Sequence, residues 1–274
     1  MQALNINGQA NFKNTMNTSC SHFIQPETAR ARSTFCLLLG SALRGAAIIV
    51  ALLAAGYALA DAGGYQKTSP THDVIGKSYM GREIAAVMGW QAAGWLERSE
   101  RTQEERPDLL LAELNLKPGM AVADIGAGSG FHSRRMAEAV GKTGKVYAVD
   151  VQPQMVQMLS ATAREAPYRN IKPILSAVDD VKLAPASVDL AIMVDVYHEL
   201  EFPLEVMRSI VKALKSDGRI AFVEYRAEDA SVPIKTVHKM SEAQIKREAA
   251  GAGLEWERTS SVLPWQHIVF FRKK

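Results

Sequence analysis

Apolar runs alternate with amphipathic helical patterns through the second half of this chain, and this alternation constrains the fold most strongly. The runs are continuously apolar, as in strands of a parallel sheet covered on both faces. The segments between these runs have apolar residues at helical spacing. The pattern therefore predicts a doubly wound α/β domain. Strands are predicted over Met120–Ile125, Lys145–Val149, Ile171–Leu175, Val188–Val194 and Arg219–Tyr225, with helices ending at Val140, around Met155–Ala163 and over Pro203–Lys215.

The last part of the chain predicts one more helix and a strand pair. Ser241-Glu-Ala-Gln244 has the form of a capping box, in which the serine side chain caps the first turn of a helix. Two strand-like stretches, Leu254–Thr259 and His267–Arg272, are close enough in sequence to pair antiparallel. The predicted sheet is thus mostly parallel, with an antiparallel terminal strand.

Charge and cysteine content exclude several classes of protein. The 274 residues include 32 Lys and Arg against 29 Asp and Glu, but residues 61–274 alone contain 28 of each. A neutral body lacks the basic surplus that binding to a phosphate backbone requires, so no nucleic-acid partner is expected. Both cysteines, Cys20 and Cys36, precede residue 61. This excludes a disulfide framework, a thiolate metal site and a cysteine nucleophile from the rest of the chain.

Residues 35–60 form an apolar segment that predicts export. Arg44 precedes an uncharged stretch that ends in Ala58-Leu59-Ala60. A positive flank, a short apolar core and small terminal residues are the parts of a signal peptide, so we expect cleavage after Ala60 and an exported body. An uncleaved membrane anchor over residues 35–60, tolerating Arg44, is one alternative. A true start downstream of Ala60, which gives a cytoplasmic protein, is another.

Residues 61–106 are predicted to be a linker and a helical extension in front of a domain over 107–274. Asp61–Asp73 contains Gly, Ser and Pro, as linkers do. Met80–Leu96 has apolar residues at helical spacing, and Glu97–Arg106 is a run of mixed charge that indicates a solvated helix face. Pro107 is well placed to begin the first helix of the domain.

A glycine-rich turn, Asp124-Ile-Gly126-Ala-Gly128-Ser-Gly130, follows the first predicted strand and opens a helix. Glycines in this context let the backbone approach a nucleotide-like ligand. Asp150 ends the next strand, 20 positions after Gly130, where a carboxylate can accept hydrogen bonds from both ribose hydroxyls. The spacing differs from the G-x-G-x-x-G of nicotinamide sites, and a carboxylate at Asp124 would repel a pyrophosphate. Asp124 suits a cofactor with a cationic ammonium and sulfonium.

Taken in order, these motifs resemble the class I S-adenosylmethionine-dependent methyltransferases. The resemblance covers about residues 107–273 and implies a Rossmann-like, seven-stranded sheet with S-adenosylmethionine as cofactor. It implies that the glycine loop with Asp124 cradles the amino-acid moiety, that Asp150 binds the ribose, and that the loop after the third strand contacts adenine. The motifs are DIGAGSG at 124–130, VYAVD ending at Asp150, Asp179-Asp180, VDLAIMVDVYHEL at 188–200 and LKSDGRIAFVEYR at 214–226. The cofactor-binding residues so implied are Asp124, Gly126, Gly128, Gly130, Asp150, Asp179, Asp180 and Asp195.

The sequence departs from this family pattern in two places. Ala177 stands where many members have an acid, so either Asp179 or Asp180 is left to face adenine. About a dozen residues separate Leu175 from Val188, so the helix usually found there is short or absent. Segments at 79–90 and 232–240 are similar to a group of exported bacterial methyltransferase-like proteins, a resemblance that implies no substrate.

Tyr197 and His198 are the candidate catalytic residues. They follow the fourth predicted strand, and ligands of doubly wound folds bind at strand carboxyl ends. A histidine suits the role of general base if the acceptor must lose a proton. The alternative is that both residues only line the cofactor pocket; His238 and His267 carry weaker versions of the catalytic hypothesis. No metal site is expected, because Phe202 stands where an H-E-x-x-H motif needs its second histidine.

The sequence thus favours an S-adenosylmethionine-dependent methyltransferase acting on a small molecule or an envelope component. An exported protein that binds S-adenosylmethionine without catalysis is the second hypothesis. An NAD-dependent oxidoreductase is a distant third. Membrane contact is expected only through residues 35–60, if they are not cleaved, and the sequence names neither the acceptor nor an oligomeric state.

Overall fold

The computed structural model describes residues 64–274, whose strands form two sheets. Within this range, three short strands make a small antiparallel sheet: β1 (Tyr65–Lys67), β2 (Val74–Tyr79) and β3 (Arg82–Ala85). The main sheet of the same range has eight strands: β4 (Ala121–Ile125), β5 (Lys145–Asp150), β6 (Ile171–Leu175), β7 (Val188–Val194), β8 (Leu214–Arg226), β9 (Lys239–Met240), β10 (Leu254–Ser260) and β11 (Gln266–Lys273).

The helices begin at residues suited to helix starts. A proline occupies the first turn of three of them, where its missing N–H costs no hydrogen bond. Ser241 caps the last helix through a 3.2 Å hydrogen bond from Gln244 N, which confirms the predicted helix start and its serine cap, while the Gln244 side chain donates to Glu248. The helices are α1 (Ala93–Leu96), α2 (Arg101–Glu104), α3 (Pro107–Leu114), α4 (Phe131–Val140), α5 (Pro153–Thr162), α6 (Pro203–Ala213) and α7 (Glu242–Gly251), with 3₁₀ turns at Trp90–Ala92, Tyr168–Asn170, Tyr197–Glu199 and Thr236–His238.

The main sheet is the predicted doubly wound, mostly parallel sheet. Its strand order is β10-β11-β8-β7-β4-β5-β6, and the short β9 pairs with the end of β8. Strands β4 to β8 are parallel to one another, whereas β11 is antiparallel to both β8 and β10. The chain runs outward through β5 and β6 and then crosses to the other side of β4. The switch point between β4 and β7 is where such folds bind ligands.

Side chains of the central strands alternate between two buried layers. Met193 and Phe222 belong to one apolar cluster, and their neighbours Ile192 and Ala221 belong to another. Helix α6 and the small sheet contribute to the first cluster, while α3 and α4 contribute to the second. Both faces of β7 and β8 are therefore covered, which is the physical reason for their continuously apolar sequences.

The structure corrects the helical interpretation of Met80–Leu96. Residues 74–85 form the β2–β3 hairpin, and only the end of the segment is helical, in the 3₁₀ turn Trp90–Ala92 and α1. The hairpin turns at Met80 and Gly81, whose φ angles of 48° and 86° are both positive, as a two-residue type I′ turn requires. Of the apolar residues at helical spacing, Ile84 lies on β3 and Val87 and Met88 lie in an irregular segment, whereas Ala92 and Trp95 lie in the short helical turns. Part of Asp61–Asp73, the predicted linker, is strand β1.

The predicted signal peptide or anchor at residues 35–60 lies outside the described residues. Within residues 64–274, no helix has the length and apolar character needed to cross a membrane.

Candidate active site

A cavity of about 700 Å³ opens at the carboxyl ends of β4, β5, β7 and β8. This volume lies within the range of about 300–1,000 Å³ typical of small-molecule sites. Its wall includes the glycine turn after β4, the end of β5, the loops after β6 and β7, and residues of the N-terminal region around α1. The position matches the switch point of the sheet.

The glycine turn approaches the cavity with a backbone that only glycine adopts easily. Gly126 and Gly128 line the cavity and have φ angles of 70° and 55°. A Cβ atom at Gly126 would lie 2.5 Å from Val196, and one at Gly128 would lie 2.7 Å from Leu96. Gly130, with a φ of 86°, is not among the lining residues and instead caps the start of α4. The structure therefore brings two of the three predicted glycines to the site.

Asp150 lies in the cavity wall at the end of β5, as predicted. Its Oδ2 accepts a hydrogen bond from Gly128 N and its Oδ1 accepts one from Gln152 N, each at 2.9 Å. Burial raises the pKa of the Asp150 carboxyl, and these backbone hydrogen bonds oppose the shift. Each carboxylate oxygen keeps a lone pair for a further donor, so Asp150 can still accept hydrogen bonds from a pair of hydroxyls.

Two carboxyl groups lie beside the glycine turn, that of the buried Asp124 and that of the partly buried Asp195. Burial raises the pKa of Asp124 to about 6, although Ser133 Oγ donates a 2.5 Å hydrogen bond to it. Asp195 has a φ of 54°, a strained conformation for a residue other than glycine and one often found at functional sites. Its Oδ2 accepts a hydrogen bond from Gln266 Nε2 at 3.2 Å, whereas Oδ1 has no partner within residues 64–274.

The structure does not bring Asp179 or Asp180 to the cavity. Asp180 Oδ1 accepts hydrogen bonds from Ser209 Oγ and Lys182 N, each at 2.8 Å, which holds the carboxylate in its own loop. Asp179 is exposed outside the cavity wall. The loop lines the cavity with Ser176, Ala177, Val178 and Val181, so backbone and apolar groups replace the predicted acid. Residues 176–187 contain no helix, as expected from the short spacing.

Tyr197 is not in the cavity wall, which corrects its predicted catalytic role. Its side chain is fully buried, and its ring packs edge-on against Phe222 with ring centres 5.0 Å apart. His198, the next residue, does line the cavity. In the tight 3₁₀ turn over Tyr197–Glu199, consecutive side chains point in different directions, so one enters the core while its neighbour faces the cavity.

Glu224 fixes the orientation of His198. Its Oε2 accepts a 2.6 Å hydrogen bond from His198 Nδ1, and its Oε1 accepts one from Tyr197 N at 2.8 Å. Arg82, held by a two-pronged ion pair with Glu248, donates to the His198 carbonyl oxygen at 3.1 Å. Burial lowers the pKa of His198, but the Glu224 carboxylate outweighs burial and the net direction is upward. Because Nδ1 donates to the carboxylate, the neutral ring carries its lone pair on Nε2.

Two further cavity residues, Glu199 and His238, lie beside His198. His238 Nδ1 is 3.0 Å from His198 Nε2, and Glu199 Oε1 is 3.6 Å from His238 Nδ1 and 3.8 Å from His198 Nε2. Burial raises the pKa of Glu199 to about 7 and lowers that of His238. From the sequence alone, His238 is only a weak catalytic candidate, and Glu199 belongs only to the incomplete H-E-x-x-H motif. His267 is buried but is not a lining residue.

The charged run Glu97–Arg106 also contributes to the site, contrary to the solvated face predicted for it. Arg101 is 4% exposed and Glu105 is 3% exposed, and their side chains form a 2.7 Å ion pair. Arg101 lines the cavity, as does Tyr225, whose hydroxyl donates to Glu105 at 3.3 Å. A buried i,i+4 ion pair has the same sequence pattern as an exposed one, so the sequence contained no signal for this burial.

Comparison with known proteins agrees with this architecture. A family model described as a methyltransferase domain matches residues 116–263, more than half of the chain. The solved structure of an S-adenosylmethionine-dependent methyltransferase from Aquifex aeolicus superposes with a TM-score of 0.64 and 26% identity, covering 68% of this chain and 98% of that one.

Curated relatives match over shorter stretches. A protein-L-isoaspartate O-methyltransferase from Methanothrix thermoacetophila is 44% identical over 62 residues, which are 23% of this chain and 30% of the relative. One from Methanococcus aeolicus is 30% identical over 109 residues, which are 39% of this chain and 47% of the relative. The chain thus spans less than half the length of these two relatives. The domain match, the fold and the glycine turn together show that the chain belongs to the class I S-adenosylmethionine-dependent methyltransferase family.

Proposed function

We propose that this protein transfers a methyl group from S-adenosylmethionine to a small-molecule acceptor, and that the acceptor atom binds beside His198. The observation that carries the proposal is that one cavity is lined both by the glycine turn with Asp150 and by His198, which Glu224 orients from behind. S-adenosylmethionine, when bound, supplies an electrophilic methyl group. What this chain supplies is positioning and proton management.

The residues present fit that cofactor. The positive-φ glycine turn lines the cavity with backbone, because a Cβ atom at Gly126 or Gly128 would crowd Val196 or Leu96, and Asp150 can accept hydrogen bonds from ribose hydroxyls. Asp195 Oδ1 is a buried acceptor without a hydrogen-bond partner in residues 64–274, and Asp124 lies nearby in the same wall. Because an unpartnered buried acceptor is costly, Asp195 favours a ligand that carries an ammonium, and Asp124 adds a second carboxyl group to the same wall.

His198 is the residue best placed to accept a proton from the acceptor. Asp150 and the loop after β6 lie on the β5–β6 side of the switch point, whereas His198 and Glu224 belong to the β7–β8 side. An acceptor beside β7 and β8 therefore faces the end of the cofactor remote from its adenosine. A proton on His198 is stabilised by Glu224, and His238, 3.0 Å away, offers a path for the proton to leave.

The cavity favours a small-molecule acceptor over a macromolecule that is too large to enter it. Apolar residues such as Val87, Leu96, Val196 and Leu200 contribute to the wall together with the polar groups already described. A pocket of about 700 Å³ is large enough to bury a cofactor together with a compact acceptor. Whether the acceptor is a free metabolite or an envelope component is decided by the screen that tests the proposal.

The test is a methyl-transfer screen with S-adenosylmethionine that carries a labelled methyl group. The purified protein is incubated with a small-molecule extract and with an envelope extract, and label is followed into products by mass spectrometry. We expect a small-molecule product that is absent with His198→Ala protein. If the protein binds the cofactor but no label enters a product from either extract, the result would instead support a binding protein without catalysis.

A further inference from the structure

We infer that His198, Glu199 and His238 hold a divalent metal ion of the Zn²⁺ class, and that this ion binds a hydroxyl oxygen of the methyl acceptor. The role of the ion in catalysis rests on the proposed function. The site itself rests on the geometry of three side chains and on the charge around them.

The three ligand atoms have the separations of a metal site. His198 Nε2 is 3.0 Å from His238 Nδ1, and Glu199 Oε1 is 3.6 Å from His238 Nδ1 and 3.8 Å from His198 Nε2. All three ligand atoms thus lie within 4.8 Å of one another. A point equidistant from three atoms with these separations lies about 2.0 Å from each of them, which is the length of a zinc–nitrogen or zinc–carboxylate bond. An ion therefore fits with little rearrangement.

The donor set and its support are those of a metal centre. Two imidazole nitrogens and one carboxylate oxygen suit a first-row transition metal rather than Mg²⁺ or Ca²⁺. His198 Nδ1 donates to the buried carboxylate of Glu224, which orients the ring. The lone pair of the neutral ring is then on Nε2, where it can bind the ion. A carboxylate behind a metal-binding histidine is the usual outer support of such ligands. His238 needs only to carry its proton on Nε2 for its Nδ1 to bind the same ion.

Charge around the cluster favours a cation. Glu199 and Glu224 bring two carboxylates to it, and Glu224 is fully buried. The nearby Arg82 is already neutralised by Glu248, and Lys235 Nζ pairs with Asp73 at 2.7 Å. Glu199 Oε2 accepts only a 3.3 Å hydrogen bond from Met88 N, and its Oε1 accepts none within the described part of the chain. A dication would supply the countercharge that this partly buried carboxylate lacks.

The ion would define the substrate class. Three protein ligands leave at least one position open, as in catalytic rather than structural zinc sites. The open side faces the cavity, because all three residues line it. A hydroxyl bound there has its pKa lowered and releases its proton to water, which leaves an oxygen nucleophile on the β7–β8 side. With the ion in place His198 Nε2 is a ligand and does not take the proton, so the ion activates the acceptor in place of the His198 base of the proposed function. The acceptor is therefore an alcohol or a phenol small enough to enter the cavity.

Metal binding tests the site without any acceptor. Full-length protein without a histidine tag is stripped with a chelator, then titrated with Zn²⁺ by calorimetry and with Co²⁺ by visible absorption. We expect one ion per chain and the d–d bands of nitrogen- and oxygen-bound Co²⁺. His238→Ala and Glu199→Gln should each weaken binding by at least about 100-fold, and Glu224→Gln, behind the ligand, by about 10- to 100-fold.

His72→Ala is the matched control, because the His72 side chain is 98% exposed and lies outside the cluster. It should bind Zn²⁺ as the unmodified protein does. Folded protein that binds no stoichiometric ion, or His238→Ala and Glu199→Gln proteins that bind it normally, would overturn the site. If metal-free protein methylates its acceptor at the full rate, the role of the ion is wrong and the proposed function stands. If the ion binds but no acceptor is methylated, the site stands and the proposed function fails.

Discussion

The Glu224 carboxylate accepts a hydrogen bond from His198 Nδ1 at 2.6 Å, where the ends of β7 and β8 form one side of the cavity. This pair marks one end of the cavity. Asp150, the carboxylate that can accept hydrogen bonds from ribose, lies at the end of β5 on the other side of the switch point. A ligand that spans the cavity therefore has one end near Asp150 and the other near His198.

Removing the His198 imidazole should slow turnover without affecting cofactor binding. His198→Ala is expected to lower kcat by roughly 10²- to 10⁴-fold, because it removes the group that handles the acceptor's proton. The Kd for S-adenosylmethionine should change little. Tyr197→Phe is the control: its hydroxyl is buried away from the cavity, so kcat and KM should both stay near those of the unmodified protein. An unchanged kcat/KM for His198→Ala would rule out a catalytic role for the ring.

Removing the Asp150 carboxylate should weaken cofactor binding. Asp150→Ala is expected to cost about 1.5 to 3 kcal/mol of binding free energy, the range for losing charge-assisted hydrogen bonds. Calorimetric titration with S-adenosylmethionine measures this change. Asp179→Asn removes a charge from an exposed residue outside the cavity and should leave the affinity unchanged. Equal affinities for the two variants would contradict the assignment of Asp150 to the ribose.

Cofactor affinity should fall as the pH falls through the pKa of Asp124. Burial raises that pKa to about 6 despite the opposing effects of Ser133 and Arg101, and Asp150 adds to the rise. Below pH 6 the carboxyl is neutral and cannot pair with an ammonium, so the affinity at pH 5 should be about tenfold lower than at pH 7. Titrations across pH 5–7 check the slope. Asp124→Asn should bind more weakly and show a flatter profile; a profile as steep as that of the unmodified protein would assign the titration to another group.

The strands of the fold could be predicted because burial on both faces leaves a direct mark on the sequence. Val188–Val194 was predicted with the bounds that β7 has. The β2–β3 hairpin was missed because Met80-Gly81 is a weak turn signal compared with Asn-Gly or Asp-Gly. Local apolar spacing in that region fits a helix equally well.

The site was harder to predict than the fold, since its key contacts join distant parts of the chain. Position after β7 pointed to Tyr197 and His198 together, and spacing alone could not show that only His198 lines the cavity from this 3₁₀ turn. His238 reaches His198 from 40 residues away through the segment that follows β8. Burial of the Arg101–Glu105 pair depends on tertiary packing, which the charge pattern does not encode.

Export remains a prediction from residues 35–60. We expect the mature protein to begin at Asp61 and to be recovered outside the cytoplasm. N-terminal sequencing of the native protein measures this. A mature chain that still contains Cys36 would favour the membrane anchor, and a start downstream of Ala60 without export would favour a cytoplasmic enzyme.

The central claim is that this cavity binds S-adenosylmethionine. Calorimetric titration of the full-length protein with S-adenosylmethionine, S-adenosylhomocysteine and NAD tests it most directly. We predict that the first two ligands bind with one site per chain and that Asp150→Ala weakens both. Binding of NAD alone, or S-adenosylmethionine binding that Asp150→Ala leaves unchanged, would contradict the account.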